Sequence, residues 1–508
     1  MIFGIIVFSI ILLIYKPWFI YSGTLSSGDW PYLYLENIQE FSFLPNAQNV
    51  WLSFYYQIPT KILVQYLNIP WTIVERILWF FPFLAIGIFS SYALIRSWIG
   101  VLVYMTNTYI LMVVGGGQMG IAMAYAIAPL ILKLFFDNKR LSFAIAIGIL
   151  IMFDPRIAYI VLVSIGIFIL MFRKFSQAIS ILPASIPIAL LINSFWLVPF
   201  LNSNLNIFVE NFDNSLSFRF LSFADFSNTL SLLHPNWPEN IFGKTYFLQP
   251  EFLILPILAY SVLIFVSKIE DKTLKMKIIF FSLVGLIGVF LSKGSNPPFG
   301  FINEWFFQYI PGMSIFRDST KFYLLIALSY STLIPLSIQL ISQRFSSRLR
   351  YLFFLLFVAF WLSLIYPAVF GQLTGTFKPQ KIPQEYMHLK EFLLAKPEYF
   401  KALWVPERQR FGFYSKNHPA LSAMEYLKVS SVSFAISIIK KPETRKELAQ
   451  SLIKYIIVPY DNREELFITD RKYDEGLYRK TIKELEQLSW MSKEVFGKTV
   501  VFEMRTEK

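Results

Sequence analysis

The sequence predicts an all-α polytopic membrane bundle of about eleven transmembrane helices, followed by a small external α/β domain. Two observations carry this reading. The 508-residue chain is 55% hydrophobic and only 16% charged, with a mean hydropathy of +0.52, outside the usual range of soluble globular proteins. The charge is also unevenly spread: residues 379–508 hold 41 charged side chains, against 38 in the 378 residues before them.

A bilayer crossing takes roughly 20 apolar residues. On that scale crossings are expected at 2–20, 72–94, 98–115, 119–136, 141–153, 157–172, 178–200, 251–267, 278–292, 319–342 and 351–371. The opening MIFGIIVFSIILLIY has neither a positively charged n-region nor a small-residue cleavage site, so it reads as a retained helix. The fifth span has 13 apolar residues, about 20 Å of helix against a hydrocarbon core of about 30 Å. That places the following Asp154-Pro155-Arg156 in a recessed position, where charged backbone is tolerated only if it lines a cavity or is buried in protein.

Orientation follows from the short loops. One set holds thirteen Lys and Arg: Arg96, Lys133, Lys139, Arg140, Arg173, Lys174, Lys268, Lys272, Lys275, Lys277, Arg344, Arg348 and Arg350. The opposite set holds four: Arg156, Lys293, Arg317 and Lys321. The amino terminus is therefore expected in the cytoplasm, with the long loops 21–71 and 201–250 on the outer face. In the first of these, 31–40 and 50–67 have aromatic and aliphatic residues at helical spacing, suited to lying on the membrane surface.

Two domains are expected, a membrane domain over 1–378 and a soluble α/β unit over 379–508. In the second, KALWVP (401–406), YIIVPY (455–460) and TVVFEM (499–504) read as strands, while ETRKELAQSLIKY and EGLYRKTIKELEQL have helical spacing. An odd number of crossings puts this unit on the outer face as well.

Several chemistries are excluded. With no cysteine there is no disulfide, thiolate zinc site or Cys nucleophile. Walker A, Rossmann, HEXXH and Gly-x-Ser-x-Gly signatures are missing. Gly115-Gly116-Gly117-Gln118-Met119-Gly120 joins two apolar helices and reads as a hairpin turn, with a phosphate cradle the lesser reading. The net charge of +13 collects in membrane loops and implies no nucleic-acid partner. Three scattered histidines, at 234, 388 and 418, make no recognisable metal set.

What remains is a set of ionisable residues at the outer ends of helices. Asp29 lies in SGDWPY, Asp154 and Arg156 in FDPR, His234 and Glu239 in LLHPNWPEN, and Arg317, Asp318 and Lys321 in PGMSIFRDSTKF. From the residues alone, Asp29 is either the cap of a helix starting at Pro31 or a catalytic carboxylate. Asp154 and Arg156 read first as an ion pair, and His234 as a packed side chain. Arg317 beside Asp318 would suit an anionic phosphate, with interfacial anchoring the plainer reading for Arg317 and Lys321.

Taken together, the acid in a large first outer loop, the eleven crossings and the external carboxy-terminal domain resemble the GT-C membrane glycosyltransferases over the full chain. PGMSIFRDSTKF resembles the Pro-Gly, Phe-Arg, Lys-Phe stretch in the last outer loop of arabinofuranosyltransferase-like members. SGDW occupies the place of the family's first-loop catalytic acid, although Trp30 stands where many members carry a second acidic residue. The resemblance implies an enzyme of the plasma membrane, embedded among membrane lipids. It would move a sugar from a polyprenyl-phosphate donor to a glycan, lipid or protein acceptor on the outer face. Asp29 would be the base, Arg317 with Lys321 and Arg156 would hold the donor phosphate, and Asp154, His234 and Glu239 would form an additional polar site. No cofactor is implied, and a divalent metal is left open. A competing reading from another class is a polytopic transporter or lipid-linked sugar flippase, which would show midplane charges and inverted repeats; here the acids keep to one face and no halves are visible.

Overall fold

In a computed structural model, residues 2–20, 23–26, 51, 53–202, 215–234, 250–343, 345–371, 378–380, 383–409, 412–415, 417–460 and 475–505 are described. The chain divides into two compact units, Met1–Tyr21 with Phe43–Phe377, and Ser22–Ser42 with Lys378–Lys508.

The first unit is a helical membrane bundle. Its helices are α1 (Ile2–Tyr15), α2 (Trp71–Ile95), α3 (Trp98–Thr106), α4 (Thr108–Gly115), α5 (Met119–Phe136), α6 (Arg140–Phe153), α7 (Pro155–Phe172) and α8 (Phe175–Asn202). After the short α9 (Ser215–Phe220) and α10 (Phe226–Leu230) come α11 (Glu251–Lys268), α12 (Lys272–Ser292), α13 (Gly300–Tyr309), α14 (Ser319–Ser342) and α15 (Ser347–Leu364). Every expected crossing is occupied by helix. Among the described residues, seven helices are long and apolar enough to span a membrane, and an eighth span results if α3 and α4 count as one.

That pair is bent by 41°, and Asn107 explains the bend. Its Oδ1 caps α4 by accepting the Ile110 amide at 3.2 Å, while its Nδ2 donates to the Val103 and Tyr104 carbonyls that close α3. A single amide thus satisfies both broken ends inside an apolar bundle. Close helix contact relies on small residues. A Cβ on Gly100 of α3 would lie 2.3 Å from the Ser331 carbonyl oxygen of α14. Trp361 of α15 is tied to α3 by a hydrogen bond from its Nε1 to Thr106 Oγ1, 2.8 Å.

The second unit holds a two-stranded ribbon and a five-stranded sheet. In the ribbon, β1 (Thr24–Ser26) pairs antiparallel with β2 (Lys378–Gln380). The sheet has the order β4-β3-β5-β7-β6, from β3 (Lys401–Trp404), β4 (Ala420–Ser422), β5 (Ile453–Val458), β6 (Met491–Phe496) and β7 (Thr499–Met504). β3 runs parallel to both β4 and β5, β7 is antiparallel to β5, and β6, antiparallel to β7 across the hairpin, runs in the same direction as β5. The hairpin turn uses Gly497 at φ +56°, a conformation that a side chain would strain.

Each sheet face is covered. α16 (Gln384–Leu394) buries Tyr386, Leu389 and Leu393 against Ala402, Trp404 and Tyr455. α17 (Val432–Ile439), α18 (Pro442–Gln450) and α19 (Glu475–Glu486) bury Ile436, Leu448 and Leu485 against Leu403, Ile456 and Phe502. The alternation along each strand sends one set of residues to each face.

Candidate functional site

Three chain segments build one polar cluster. The first is the α6–α7 junction, where the backbone leaves helical geometry at Asp154 alone, with φ −158°. Asp154 caps α7 by accepting the Arg156 amide at 2.8 Å and the Ile157 amide at 3.3 Å, and Pro155 fills the first helical position. The Arg156 guanidinium folds back onto the same carboxylate, Nε to Oδ1 at 3.0 Å and Nη2 to Oδ2 at 2.6 Å. Asp154 is buried, and the guanidinium also lies 5.8 Å from the centre of the Trp51 ring. The expected ion pair is therefore formed.

The second segment is PGMSIFRDSTKF. Gly312 takes φ +82°, and a Cβ there would come within 2.9 Å of the Tyr159 ring of α7. The Tyr159 hydroxyl donates to the Pro311 carbonyl at 3.0 Å, and its ring packs on buried Phe316. These contacts fix how the chain turns into α14. There Asp318 accepts the Thr320 amide at 3.0 Å and the Thr320 hydroxyl at 2.5 Å, and pairs with Lys321 Nζ at 2.7 Å. Burial alone would raise the Asp318 carboxyl, but the Lys321 ammonium and the Thr320 hydrogen bond override it and hold it below the usual carboxylate range.

The third segment ends at His234. The Tyr330 hydroxyl donates to the Leu230 carbonyl, the Thr108 hydroxyl to that of Leu232 and the Tyr323 hydroxyl to that of Leu233, at 2.5, 2.6 and 2.8 Å. Thr108 Oγ1 also accepts the His234 amide at 2.8 Å. His234 is thereby seated between the rings of Tyr109 and Tyr323, with centroids 5.6 and 5.2 Å away.

The second and third segments, with α4 and the turn after it, enclose a narrow cleft lined by Tyr109, Gly116, Gln118, His234, Asp318 and Lys321, which neither Asp154 nor Arg156 lines. Its free space, about 10 Å³ for the centres of water-sized spheres, holds about one water. The two ion pairs interact electrostatically: Arg156 with Asp318, and Lys321 with both Arg156 and Asp154. Tyr109 interacts with Asp154, Arg156 and Asp318. Its hydroxyl is buried and has no hydrogen-bond partner among the described residues.

The structure thus brings together Asp154, Arg156, His234, Asp318 and Lys321. Arg317 is half-buried next to them and does not line the cleft. Asp29 and Glu239 lie outside the described residues. The glycine-rich turn borders the cleft but cannot cradle a phosphate. Its Gly116, Gly117, Gln118 and Met119 amides donate to carbonyls within the turn and the end of α4, so the hairpin reading holds. Among the described residues, no group of three or more His, Asp or Glu could hold a metal ion.

Sequence reading missed two features. Tyr109 and Gln118 carried no signal because each sits in an apolar or glycine-rich run. Glu75 and Arg76, in contrast, stood visible as two charges at the start of an apolar span. Glu75 is fully buried in α2, 3.0 Å from the Arg76 guanidinium, where the helix widens into a π-turn over Arg76–Phe80.

The polytopic helical bundle and its α/β unit are GT-C-like in fold, by similarity to solved structures. The whole chain is similar to the arabinofuranosyltransferase AftD from Mycobacteria, solved by single-particle cryo-EM: 14% identity, TM-score 0.62, covering 99% of this chain and 40% of that one. A mutant form of AftD aligns alike, at 13% identity and TM-score 0.59, over 99% of this chain and 41% of the other. This chain therefore spans about two-fifths of the length of the solved protein. No family model matches the sequence, and no curated protein matches it.

Proposed function

We propose that this chain is a glycosyltransferase of the plasma membrane, moving a sugar from a polyprenyl-phosphate donor to a glycan, lipid or protein acceptor on the outer face. The observation that carries the reading is the cleft itself, a buried ionic site with an unsatisfied phenol hydroxyl within a GT-C-like fold. Unpaired buried hydroxyls cost about 1–3 kcal/mol, and a polar ligand would remove that cost. The thirteen-to-four asymmetry of loop Lys and Arg supports a cytoplasmic amino terminus, an outward-facing cleft and an external domain after residue 378.

In this mechanism the acceptor oxygen attacks the anomeric carbon as the bond to the donor phosphate breaks, and its electron pair leaves on the phosphate. Asp29 takes the acceptor proton, a contribution of about 10²–10⁴-fold. A single displacement with no covalent intermediate inverts the anomeric centre, as in inverting glycosidases, but with one carboxylate where those use two. Arg317 holds the leaving phosphate. Lys321 and Arg156 assist only by sharing themselves between the phosphate and the carboxylates they now bind. The cleft is too narrow for a phosphate as it stands, so donor entry must part its walls.

Reconstitution in liposomes with a panel of polyprenyl-phosphate sugars tests the proposal. Transfer to an acceptor is expected, and transfer from nucleotide sugars alone would reject the donor class. Within that assay Arg317→Ala is expected to raise donor KM roughly tenfold or more, the worth of a charge-assisted contact. The acceptor KM should stay unchanged, and Lys should rescue only partly for want of the planar fork. Unaltered donor kinetics would remove Arg317 from the site. Tyr109→Phe should leave the empty protein as stable as wild type or up to about 2 kcal/mol more stable, since it deletes an unsatisfied group, while donor affinity falls about five- to tenfold. Loss of stability without loss of affinity would make Tyr109 a packing residue.

A further inference from the structure

The connection from α12 to α14 contains a helix whose outward face is of the wrong kind for water. Along α13, Gly300, Asn303 and Phe307 face the protein and are buried, at helical spacing. The opposite face carries Phe301, Trp305, Gln308 and Tyr309, all exposed. A helix on an aqueous surface carries polar residues there; three of these four are aromatic.

The neighbouring α9 has the same character. It is docked on α13 by the Phe218–Phe307 stack at 4.7 Å and by a two-point ion pair from Arg219 Nε and Nη2 to Glu304, at 2.7 and 2.8 Å. Leu216 and Phe220, four residues apart, are each 70% exposed, and Phe301, Trp305 and Tyr309 are 68%, 51% and 66% exposed. Two helices docked on each other thus both present exposed apolar side chains. Soluble surfaces rarely gather such side chains without an occupant.

Its place in the chain identifies the occupant. α12 is a 21-residue spanning helix, about 30 Å long and enough to cross the hydrocarbon core. α13 begins eight residues after α12 ends, and the next spanning helix begins at Ser319, ten residues after α13 ends. The chain therefore leaves the bilayer and re-enters it within this stretch, which holds α13 at the membrane boundary. Trp and Tyr favour that depth, with rings in the acyl region and polar atoms at the headgroups.

We propose that α9 and α13 form an interfacial platform whose aromatic face is embedded in the lipid of the leaflet next to the cleft. The platform is continuous with PGMSIFRDSTKF, so it sets the level of Asp318 and Lys321 relative to the headgroups. This inference rests on the membrane fold and is independent of the transferase reading.

The sequence has no cysteine, so a single introduced cysteine takes a nitroxide label uniquely. The full chain in lipid nanodiscs would carry Trp305→Cys, or Leu216→Cys as a second probe from the other helix. Glu270→Cys, in an exposed connection between spans, gives the aqueous reference. Both platform labels are expected to collide with oxygen at least about fivefold more often, relative to a water-soluble nickel chelate, than the reference label does. A nickel-to-oxygen ratio equal to the reference would put the face in water and overturn the proposal. Labels shielded from both reagents would mean that protein covers the face, either a second copy or the rest of the chain, and would overturn it equally.

Discussion

Asp29→Asn is expected to leave a folded protein that transfers sugar at least about two orders of magnitude more slowly than wild type. A cap and a base respond differently to this change. Asn caps a helix about as well as Asp, because its carbonyl oxygen accepts the same amide hydrogen bonds, but it cannot take a proton from the acceptor hydroxyl. If Asp29 only caps, turnover stays near the wild-type level; if it is the base, thermal stability holds and turnover collapses. The rest of the site makes substitution for Asp29 difficult. Both oxygens of Asp154 are engaged by Arg156 and two backbone amides. Both oxygens of Asp318 already accept hydrogen bonds from Thr320 or Lys321. The bonds already made compete with any acceptor hydroxyl for these oxygens. Near-native turnover by a well-folded Asn variant, with a polyprenyl-phosphate sugar as donor, would reject the assignment and turn the search to Asp154 in spite of its partners.

The helical spans were legible because an apolar run of bilayer length has one solution, a helix that satisfies its own backbone. The break at Asn107 was not, since a lone Asn inside an apolar run gives no sign that it serves two helix ends at once. In the soluble unit, β3, β5 and β7 stood out as buried apolar strands. β6, with exposed Lys493, Glu494 and Val495, and the three-residue β4 had no such pattern, because they are short or border the sheet. The expected helix from 443 also ran too far. It ends at Gln450, and Ile453–Val458 leaves it for the sheet, where β-branched residues pack between two covered faces. At the site, charges were readable because ionisable residues are rare in such a chain. The aromatic seat of His234 depends on hydrogen bonds from Thr108 and Tyr323, more than 80 residues away on either side, and no local pattern carries that information.

The largest expected effect on stability belongs to Asp318→Ala. Asp318 and Lys321 are both buried, at 7% and 6% exposure, so removing the carboxylate strands an ammonium group away from water. Breaking such a pair costs about 3–5 kcal/mol, because the remaining charge keeps its desolvation penalty and loses its partner. Losing the cap of the Ser319–Phe322 turn adds about 1 kcal/mol. Asp318→Asn should fall between, since its amide oxygen can still accept from Thr320 while the charge is gone. The decisive comparison is the double variant Asp318→Leu with Lys321→Met. If the single-variant loss comes from a stranded charge, removing both charges recovers most of it, even though an ion pair has been deleted. Unfolding in mixed micelles measures all four proteins. If the double variant is as unstable as Asp318→Ala, the loss comes from the turn geometry and not from Lys321. If it is stable yet inactive, then this pair is kept for the ligand that enters the cleft, where Lys321 must be charged to share itself with a phosphate.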